Sequence, residues 1–382
     1  LAWVFEDQNS NIVSVQATAL TVPRVMEFSA ASKDPSNPVL PGSRSETIRN
    51  QNLFAVTTFD IKDRYIIDGL IRQDQSSLFG QDNRSALYNR FSAAYRVSED
   101  VTIPGVDEFK LRASRGTAGL RPQFNAQYEV FSVAGGSPSK VTLGNPLLKP
   151  AFSTETEYGF SVNFLTNYTL EYSYSDKSTS DQIMSVPLSA AAGYQNQWRN
   201  AGTLAGQTHE LGFGAVLASS KDFFWRLNVT ADRTRQKITE LNVAPFLVGP
   251  NPDDANTKIF RIAEGQKFGV IYGSRFIRTP EQLAATIESK KLSGTAADYK
   301  VNEDGYYVRA TQYHTVNEVP LKAYDAKGES LTEIGDVNPD FNMGISNTVQ
   351  WKGLTVAAQF NWVKGGEIYN YTRQWPFNEL RD

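Results

Sequence analysis

Three side chains at alternate positions, Asp336, Asn338 and Asp340, have the spacing of the first ligands in a calcium-binding loop. An EF-hand loop also needs a glycine at its sixth position and a bidentate glutamate at its twelfth. This chain has Phe341 and Asn347 there. The pattern therefore excludes an EF-hand and favours turns in which Asx side chains accept hydrogen bonds from nearby backbone N–H groups.

The other residues with catalytic potential do not assemble into a reaction centre. Asp253 and Asp254 are a carboxylate pair, but adjacent residues in a polar turn do not face each other across a glycosidic bond. His209 shares a strand face with Leu211, which favours a hydrogen-bonded or interfacial imidazole, and His314 has no acid or nucleophile motif near it. The sequence predicts that the chain is not an enzyme and has no cofactor-binding or metal-binding residues. It gives no basis for naming substrate-binding residues.

Composition excludes further classes of function. The chain contains no cysteine, so it has neither a thiolate nucleophile nor a disulfide framework. Its formal net charge of −3 supplies no basic surface for nucleic acid. Aromatic residues make up 12% of the chain, with 22 Phe and 17 Tyr against 3 Met, a balance typical of half-buried strands. The composition therefore predicts an all-β protein.

Strand-like segments recur along the chain, and most have two chemically different faces, although the segment from Tyr65 alternates poorly. In TVAAQFNWVKG, which begins at Thr355, Val356 and Phe360 lie on one face and Gln359 on the other. Further segments begin at Leu53, Tyr65, Phe109, Glu157, Tyr168, His209, Phe223 and Met343. No run approaches the roughly 20 apolar residues of a membrane helix, whereas segments of about 10 alternating residues fit tilted membrane strands. The pattern predicts antiparallel transmembrane strands with Phe360 on the lipid face.

The connections between these segments are of two kinds, tight turns such as those near Asn167 and Lys221 and long polar excursions. Outer-membrane barrels show this asymmetry, with short periplasmic turns and longer outer loops. The longest excursion, residues 233–336, contains one helix signal. Thr279 is its N-cap, Pro280 its first helical residue and Gln282 the capping-box partner, and Gly294 lies beyond its end. With little apolar material for a core, it is predicted to be a helix-bearing outer loop.

Several polar and aromatic positions have two interpretations each. The charges of residues 72–84 are those of a substrate contact or, preferably, of a solvated outer loop in which Gly80 permits a turn. Arg112, Glu210 and Arg226 lie on polar strand faces, where they line a lumen, form cross-strand ion pairs or contact a plug inside a barrel. Five tryptophans suit interfacial girdles or, less readily, sugar stacking: Trp198, Trp225, Trp351, Trp362 and Trp375.

An ordered series of motifs resembles the SusC/RagA-like branch of the TonB-linked outer-membrane transporters. The series runs from about residue 51 to 371 and comprises KDRY (62–65), RQDQSSLFG (72–80), YRVSE (95–99), FKLRASRGTAG (109–119), LGNPLLKPAFSTET (143–156), NAGTL (200–204), EGQKFGVIYG (264–273), GDVNPDF (335–341) and GEIYN (366–370). Gln75, Tyr95 and Lys267 depart from the family pattern, which has Gly, Trp and Pro there. Each motif alone is weak, but their order and spacing make coincidence very improbable.

The resemblance implies a plugged barrel of about 22 strands in the outer membrane of a Gram-negative-type bacterium. Residues 1–382 would then be a partial receptor barrel domain from its carboxy-terminal half, without the plug, the amino-terminal extension and the last strands. It also implies two protein partners, a SusD-like surface lipoprotein acting as a lid and TonB acting from below.

The function that follows is energised import of a sizeable nutrient, an oligosaccharide first and a peptide next. Two other classes share the strand pattern. A passive porin or surface-binding barrel would lack TonB coupling, and a soluble all-β carbohydrate-binding or structural protein would not partition into detergent.

Overall fold

The computed structural model describes residues 1–17, 19–22, 24–25, 27–34, 36–37, 39–134, 137–249 and 258–370. Asp253, Asp254 and Trp375 lie outside these residues. Within them, no helix is long and apolar enough to cross a bilayer.

Long strands make up the main sheet. They are β1 (Ala2–Ala17), β2 (Val39–Ile61), β3 (Tyr65–Ser76), β4 (Ser85–Arg96), β5 (Val106–Leu120), β8 (Ala151–Phe164), β9 (Tyr168–Ser180), β12 (Thr203–Ser219), β13 (Phe223–Glu240), β20 (Pro339–Trp351) and β21 (Leu354–Gly365). Every segment that the alternating pattern predicted lies in one of them, and β2 reaches 23 residues. The patterns underestimate strand length, because the polar ends of these strands carry no two-faced signal.

Short strands and helices lie in the connections. The strands are β6 (Val130–Ala134), β7 (Ser137–Leu143), β10 (Ile183–Pro187), β11 (Asn196–Asn200), β14 (Phe246–Val248), β15 (Phe260–Ile262), β16 (Val270–Gly273), β17 (Tyr299–Val301), β18 (Tyr307–Arg309) and β19 (Thr332–Asp336). The α-helix α1 spans Pro280–Glu288, and 3-10 helices span Phe28–Ala30, Val97–Glu99, Ala190–Ala192 and Ala296–Asp298.

The chain divides into two compact units. Unit 1 comprises Leu1–Ala93, Ser114–Glu155 and Thr179–Ala201, and unit 2 comprises Ala94–Ala113, Thr156–Ser178 and Gly202–Asp382. In unit 1, hydrogen-bonded strands follow the order β1-β2-β3-β4-β5-β8, with a smaller sheet of order β10-β11-β7-β6. In unit 2 the order is β5-β8-β9-β12-β13-β20-β21, with smaller sheets β14-β15-β16-β19 and β17-β18. Neighbours in the main sheet are therefore consecutive long strands, as in a meander.

The cross-strand register keeps the apolar and polar faces separate. Ile345 of β20 lies opposite Val229 of β13 and Phe360 of β21, which makes one apolar row. The adjacent row is polar and consists of Asn228, Ser346 and Gln359. Because directly opposite residues lie on the same face, the predicted alternation is a property of the sheet and not of single strands.

The apolar face is accessible rather than packed. Phe360 is 63% exposed, Phe59 of β2 is 59% exposed and Ile71 of β3 is 52% exposed. Exposed apolar side chains on a strand face, in either unit, mark contact with a membrane or a partner. The buried residues of both units lie mainly in the connections instead.

Successive connections between the long strands fall alternately into two sets, one mostly of tight turns and one mostly of long loops. One set consists of the turns at 62–64, 165–167, 220–222 and 352–353 together with 97–105. The other set consists of 18–38, 77–84, 121–150, 181–202 and 241–338. The predicted turns at Asn167 and Lys221 both belong to the first set. In a meander, alternate connections leave from opposite strand ends, so long loops gather at one end as predicted.

The longest connection has a small hydrophobic core. The strand β13 continues to Glu240, so this connection begins later than the expected residue 233. Ile277, Leu283, Tyr299 and Ala323 form a buried cluster in it, with Ile287, Leu292, Tyr307 and Leu321 packed around them. The expectation that it lacks apolar material is therefore wrong. Its core residues are widely spaced in sequence, and only folding of the loop brings them together.

Helix α1 begins as its sequence predicts. The Thr279 side chain accepts from the Gln282 backbone N–H (3.4 Å), and the Gln282 side chain accepts from the Thr279 N–H (3.3 Å), which completes the capping box. Pro280 occupies the first turn, where its missing N–H needs no partner. Leu283 and Thr286 are the buried residues of the helix, and Leu283 packs in the core of this connection.

Candidate functional site

The polar face of β2, β3 and β4 in unit 1 carries a row of paired charges. The register places Thr58 opposite Asp68 and Asn52 opposite Asp74. Thr58 Oγ1 donates to Asp68 Oδ2 at 3.0 Å, and Arg90 of β4 donates to Asp68 Oδ1 through Nη2 (2.5 Å) and Nε (3.1 Å). The carboxylate of Asp68 is therefore fully occupied within the sheet.

Arg72 and Asp74 continue this face of β3. The Arg72 guanidinium pairs with the Asp74 carboxylate, whose side chain is only 8% exposed. Beyond them, Ser76 Oγ donates to Asn50 Oδ1 at 2.7 Å. The preference for a solvated loop over residues 72–84 is therefore wrong at its start, because β3 extends to Ser76 and pairs these charges on a strand, with Asp74 buried.

Strand β5 changes face between Gly116 and Gly119. A Cβ added at Gly116 would lie 3.6 Å from Arg90 Cγ, and one added at Gly119 would lie 1.7 Å from the Tyr88 hydroxyl oxygen. Arg90 and Tyr88 are two residues apart in β4 and so point to the same face. In a regular strand, residues three apart point to opposite faces. Because Gly116 and Gly119 both face the side of Tyr88 and Arg90, we infer a bulge-like irregularity of β5 between them.

Thr117 lies within this irregularity. Its Oγ1 accepts from the Asn89 backbone N–H at 2.8 Å and contacts the Asn89 carbonyl oxygen at 3.3 Å. A side chain thus takes part in backbone pairing at this point. The shift in face carries Arg121, two residues beyond Gly119, to the side of Tyr88. By simple alternation from Leu111, Arg121 would point to the opposite, apolar side.

A cavity of about 590 Å³ lies on this polar face of unit 1. Its lining comes from β3, β4 and the end of β5, and consists of Leu70, Arg72, Asp74, Tyr88, Arg90, Thr117, Ala118, Gly119, Leu120 and Arg121. Three of these residues are arginines and one is an acid. The cavity keeps a positive charge in excess, because Asp68 and Asp74 together offset only Arg90 and Arg72.

Connections of unit 1 are joined through backbone carbonyls beside this cavity. A Cβ at Gly80 would lie 2.2 Å from the Pro146 carbonyl oxygen and 2.4 Å from that of Leu148, and the Gly80 N–H donates to the latter at 2.7 Å. Asn83 Nδ2 donates to the Leu147 carbonyl at 3.1 Å. Gly80 has no left-handed φ, so the glycine is needed for close backbone approach and not for the turn that the sequence suggested.

Arg112 forms a cross-strand network in unit 2. Its Nη2 donates to Ser173 Oγ at 2.9 Å, its Nε lies 3.6 Å from Glu157 Oε1, and Ser173 Oγ donates to the same carboxylate oxygen at 2.9 Å. The ion-pair interpretation is therefore confirmed for Arg112. In the described part of the chain neither Glu210 nor Arg226 forms an ion pair, so for these two the lumen-lining interpretation stays a prediction.

The two histidines have structural partners. His209 Nδ1 is 2.8 Å from the Tyr172 hydroxyl, and its ring lies 5.0 Å from that of Tyr174, which confirms the hydrogen-bonded imidazole. His314 stacks on Tyr313 in the longest connection, with its Nε2 3.5 Å from Glu303 Oε1.

Asp336 and Asn338 form the predicted Asx turn. Asp336 Oδ1 accepts from the Asn338 backbone N–H at 2.9 Å and from its side chain at 2.6 Å, and Lys267 Nζ contacts Asp336 Oδ2 at 3.2 Å. Burial opposes ionisation of Asp336, but these hydrogen bonds outweigh it and hold the pKa of the carboxyl below its ordinary value. Asp340 instead pairs with Arg235 at 3.3 Å. Over the described ranges, no three His, Asp or Glu side chains are grouped as metal ligands would be.

Tryptophans of unit 2 lie on exposed strand faces. Trp351 and Trp362 are 56% and 54% exposed, and Trp225 Nε1 donates to Asn347 Oδ1 at 2.9 Å. An apolar ring with an accessible rim suits an interfacial girdle. The Trp198 carbonyl accepts from Asn145 Nδ2 at 2.8 Å in unit 1, which gives that segment a structural role.

The residues that matter most in the cavity, Tyr88, Arg90 and Arg121, were not identified from sequence. Tyr88 and Arg90 belong to β4, whose short alternation is ambiguous. Arg121 reaches the cavity only because β5 changes face, and irregularities of this kind have no dependable signal in a single sequence. The Gly116–Gly119 spacing within a strand is the one hint that was present.

Residues 19–378 match a family described as TonB dependent receptor-like, beta-barrel. A curated relative, TonB-dependent receptor P26 of Formosa agariphila, is 24% identical over 388 residues, which cover 96% of this chain and 37% of that protein. The chain thus spans 37% of the length of this relative.

Solved structures show the same fold. The RagAB peptide importer in its closed-closed state superposes with a TM-score of 0.70 at 20% identity, covering 95% of this chain and 38% of that one. The outer membrane transporter YddB from Escherichia coli gives 0.51 at 14% identity, covering 94% and 38%. The prediction of an antiparallel barrel segment with long loops and one short loop helix is confirmed.

Proposed function

The chain belongs to the TonB-dependent receptor-like β-barrel family, and we propose that it is part of an outer-membrane receptor that imports a sizeable nutrient with energy delivered by TonB. The single observation that carries the proposal is the family match over residues 19–378. The two-faced sheet supports it, because an exposed apolar face and a charged inner face are what a membrane-embedded conduit requires.

We propose a location in the outer membrane of a Gram-negative-type bacterium. The apolar row of Val229, Ile345 and Phe360, in which Phe360 is 63% exposed, supports this location, because exposed apolar side chains of this kind promote aggregation in water. The expected protein partners are TonB on the periplasmic side and a SusD-like surface lipoprotein on the outer side. Residues 1–382 are proposed to be a partial barrel domain of a longer protein, and residues 241–338 to be its helix-bearing outer loop.

The ligand we propose is an oligosaccharide or a peptide. The RagAB neighbours are peptide importers, which favours the second possibility. The cavity of about 590 Å³ in unit 1 is within the size range of ligand sites and offers charged and aromatic groups for recognition. The chemistry required of the protein is binding and release, so no catalytic residue is needed.

A growth and binding experiment tests this function. A strain lacking the gene is grown on defined oligosaccharides or short peptides as sole nutrient, and the full-length gene is restored with or without TonB. The proposal predicts loss of growth on one class of nutrient, rescued only where TonB is present. Rescue without TonB would instead support the second candidate, a passive porin or surface-binding barrel.

A further inference from the structure

Two polar side chains in the unit 1 cavity have no hydrogen-bonding partner among the described residues. Tyr88 is 6% exposed, lines the cavity, and its hydroxyl makes no hydrogen bond there. Arg121 is half-buried and pairs with no carboxylate in the same part of the chain. The hydroxyl and the guanidinium are both hydrogen-bond donors, so each can take an acceptor that enters the cavity.

The acids near the cavity already pair with other side chains. Asp74 accepts from Arg72 through Oδ1, and Asp68 accepts from Arg90 and Thr58. In the described residues neither carboxylate is hydrogen-bonded to Tyr88 or Arg121. Both donors are therefore available to a group that enters the cavity.

Tyr88 and Arg121 line the same cavity. The Tyr88 hydroxyl reaches Gly119 of β5, which is two residues from Arg121 in the chain. Any side chain at residue 119 would collide with this hydroxyl. Glycine at 119 and the change of face in β5 together hold an O–H donor and a guanidinium at one wall of the cavity.

An O–H donor and a planar guanidinium that line one cavity can together bind an oxyanion with two acceptor oxygens, and a carboxylate is such a group. The cavity is far larger than one carboxylate, so the rest of a ligand has room. We propose that this cavity is a subsite for a carboxylate of the imported ligand, bound by Arg121 and Tyr88. This inference rests on the proposed function and narrows it to nutrients that carry a carboxylate.

Chemical footprinting of the full-length receptor, purified in detergent from outer membranes, tests the subsite without measuring transport. Phenylglyoxal modification of Arg121 is followed by peptide mass mapping with no addition, with tetraglutamate and with tetraglutamine whose C-terminus is amidated, so that it carries no carboxylate. Arg121 should react readily alone and about tenfold more slowly with tetraglutamate, while the amidated tetraglutamine has no effect. Slow reaction without any peptide, or equal protection by both peptides, would overturn the proposal.

Variants complete the test through calorimetric titration with tetraglutamate. Arg121→Gln should weaken binding about tenfold or more, because a charged hydrogen-bonded pair is lost, and Tyr88→Phe should weaken it several-fold. Arg115→Gln is the matched control, since Arg115 lies on β5 but on the opposite face from Gly116, and should bind normally. Normal binding by Arg121→Gln would refute the subsite. Footprinting can succeed or fail independently of TonB-linked uptake, so the two proposals are tested separately.

Discussion

Substituting arginine on either side of the sheet tests its two faces most sharply. Phe360 and Gln359 are neighbours in β21, yet Phe360 belongs to the apolar row and Gln359 to the polar row. Phe360→Arg therefore puts a guanidinium into lipid, whereas Gln359→Arg adds it to a face of amides and hydroxyls. The two variants are matched in strand, in depth and in the residue introduced.

The magnitude follows from the position of Phe360 in its strand. Phe360 lies six residues from Leu354 and five from Gly365, the ends of β21. At about 3.4 Å per residue and a tilt of about 45°, it lies roughly 12–15 Å from each end, near the middle of a bilayer. Arginine on the lipid face at that depth costs about 2–4 kcal/mol, and the cost on the lumen face is far smaller.

The assay is folding of the full-length protein into lipid vesicles, monitored by heat-modifiable migration on gels and by urea unfolding. Phe360→Arg should lower the unfolding free energy by about 2–4 kcal/mol and reduce the folded fraction. Gln359→Arg should stay close to the parent protein. Equal stability of the two variants would show that the faces are assigned wrongly.

Three further perturbations test local features. Gly80→Ala should lower the unfolding free energy by about 1–3 kcal/mol, because its Cβ would lie 2.2 and 2.4 Å from two carbonyl oxygens of connection 121–150. Gly116→Ala is the control, since its Cβ would lie no closer than 3.6 Å to a neighbouring atom, and it should change little in the same urea titration. Thr279→Ala should destabilise helix α1 by about 0.5–2 kcal/mol through loss of its N-cap, and so speed the exchange of its amide hydrogens. Unchanged exchange rates would argue against the cap. Because the pKa of Asp336 is lowered, its carboxylate stabilises the turn at pH values above those at which carboxyl groups ordinarily titrate. This stabilisation is lost as the pH falls through that range and below it. Asp336→Asn should remove this pH dependence from amide exchange at 335–341, and a retained dependence would assign it to another group.

Most strands of the sheet could be predicted from sequence, because apolar and polar side chains alternate along them with a period of two residues. The segments beginning at Phe223, Met343 and Thr355 alternate clearly, and they pair in the order expected of a meander. Helix α1 was predictable for a related reason, since Thr279 and Gln282 satisfy backbone groups within one turn. These signals are local, and one sequence is enough to read them.

Features that depend on distant contacts were not predictable. The strand β1 pairs with β2 along its whole length, yet its polar stretch around Asn9 resembles a loop. The burial of Asp74 depends on the length of β3 and on its pairing with Arg72. The position of Arg121 in the cavity depends on the change of face in β5. Tertiary context decides each of these cases, and single-sequence patterns do not encode it.

The most direct test of the central claim is uptake of radiolabelled peptides and oligosaccharides by intact cells that express the full-length protein. The measurement compares cells with and without TonB, and with and without a protonophore that collapses the inner-membrane gradient. Energised import predicts accumulation of one ligand class that is lost when either TonB or the gradient is removed. Accumulation that is unchanged by both treatments would contradict the account and leave a passive channel.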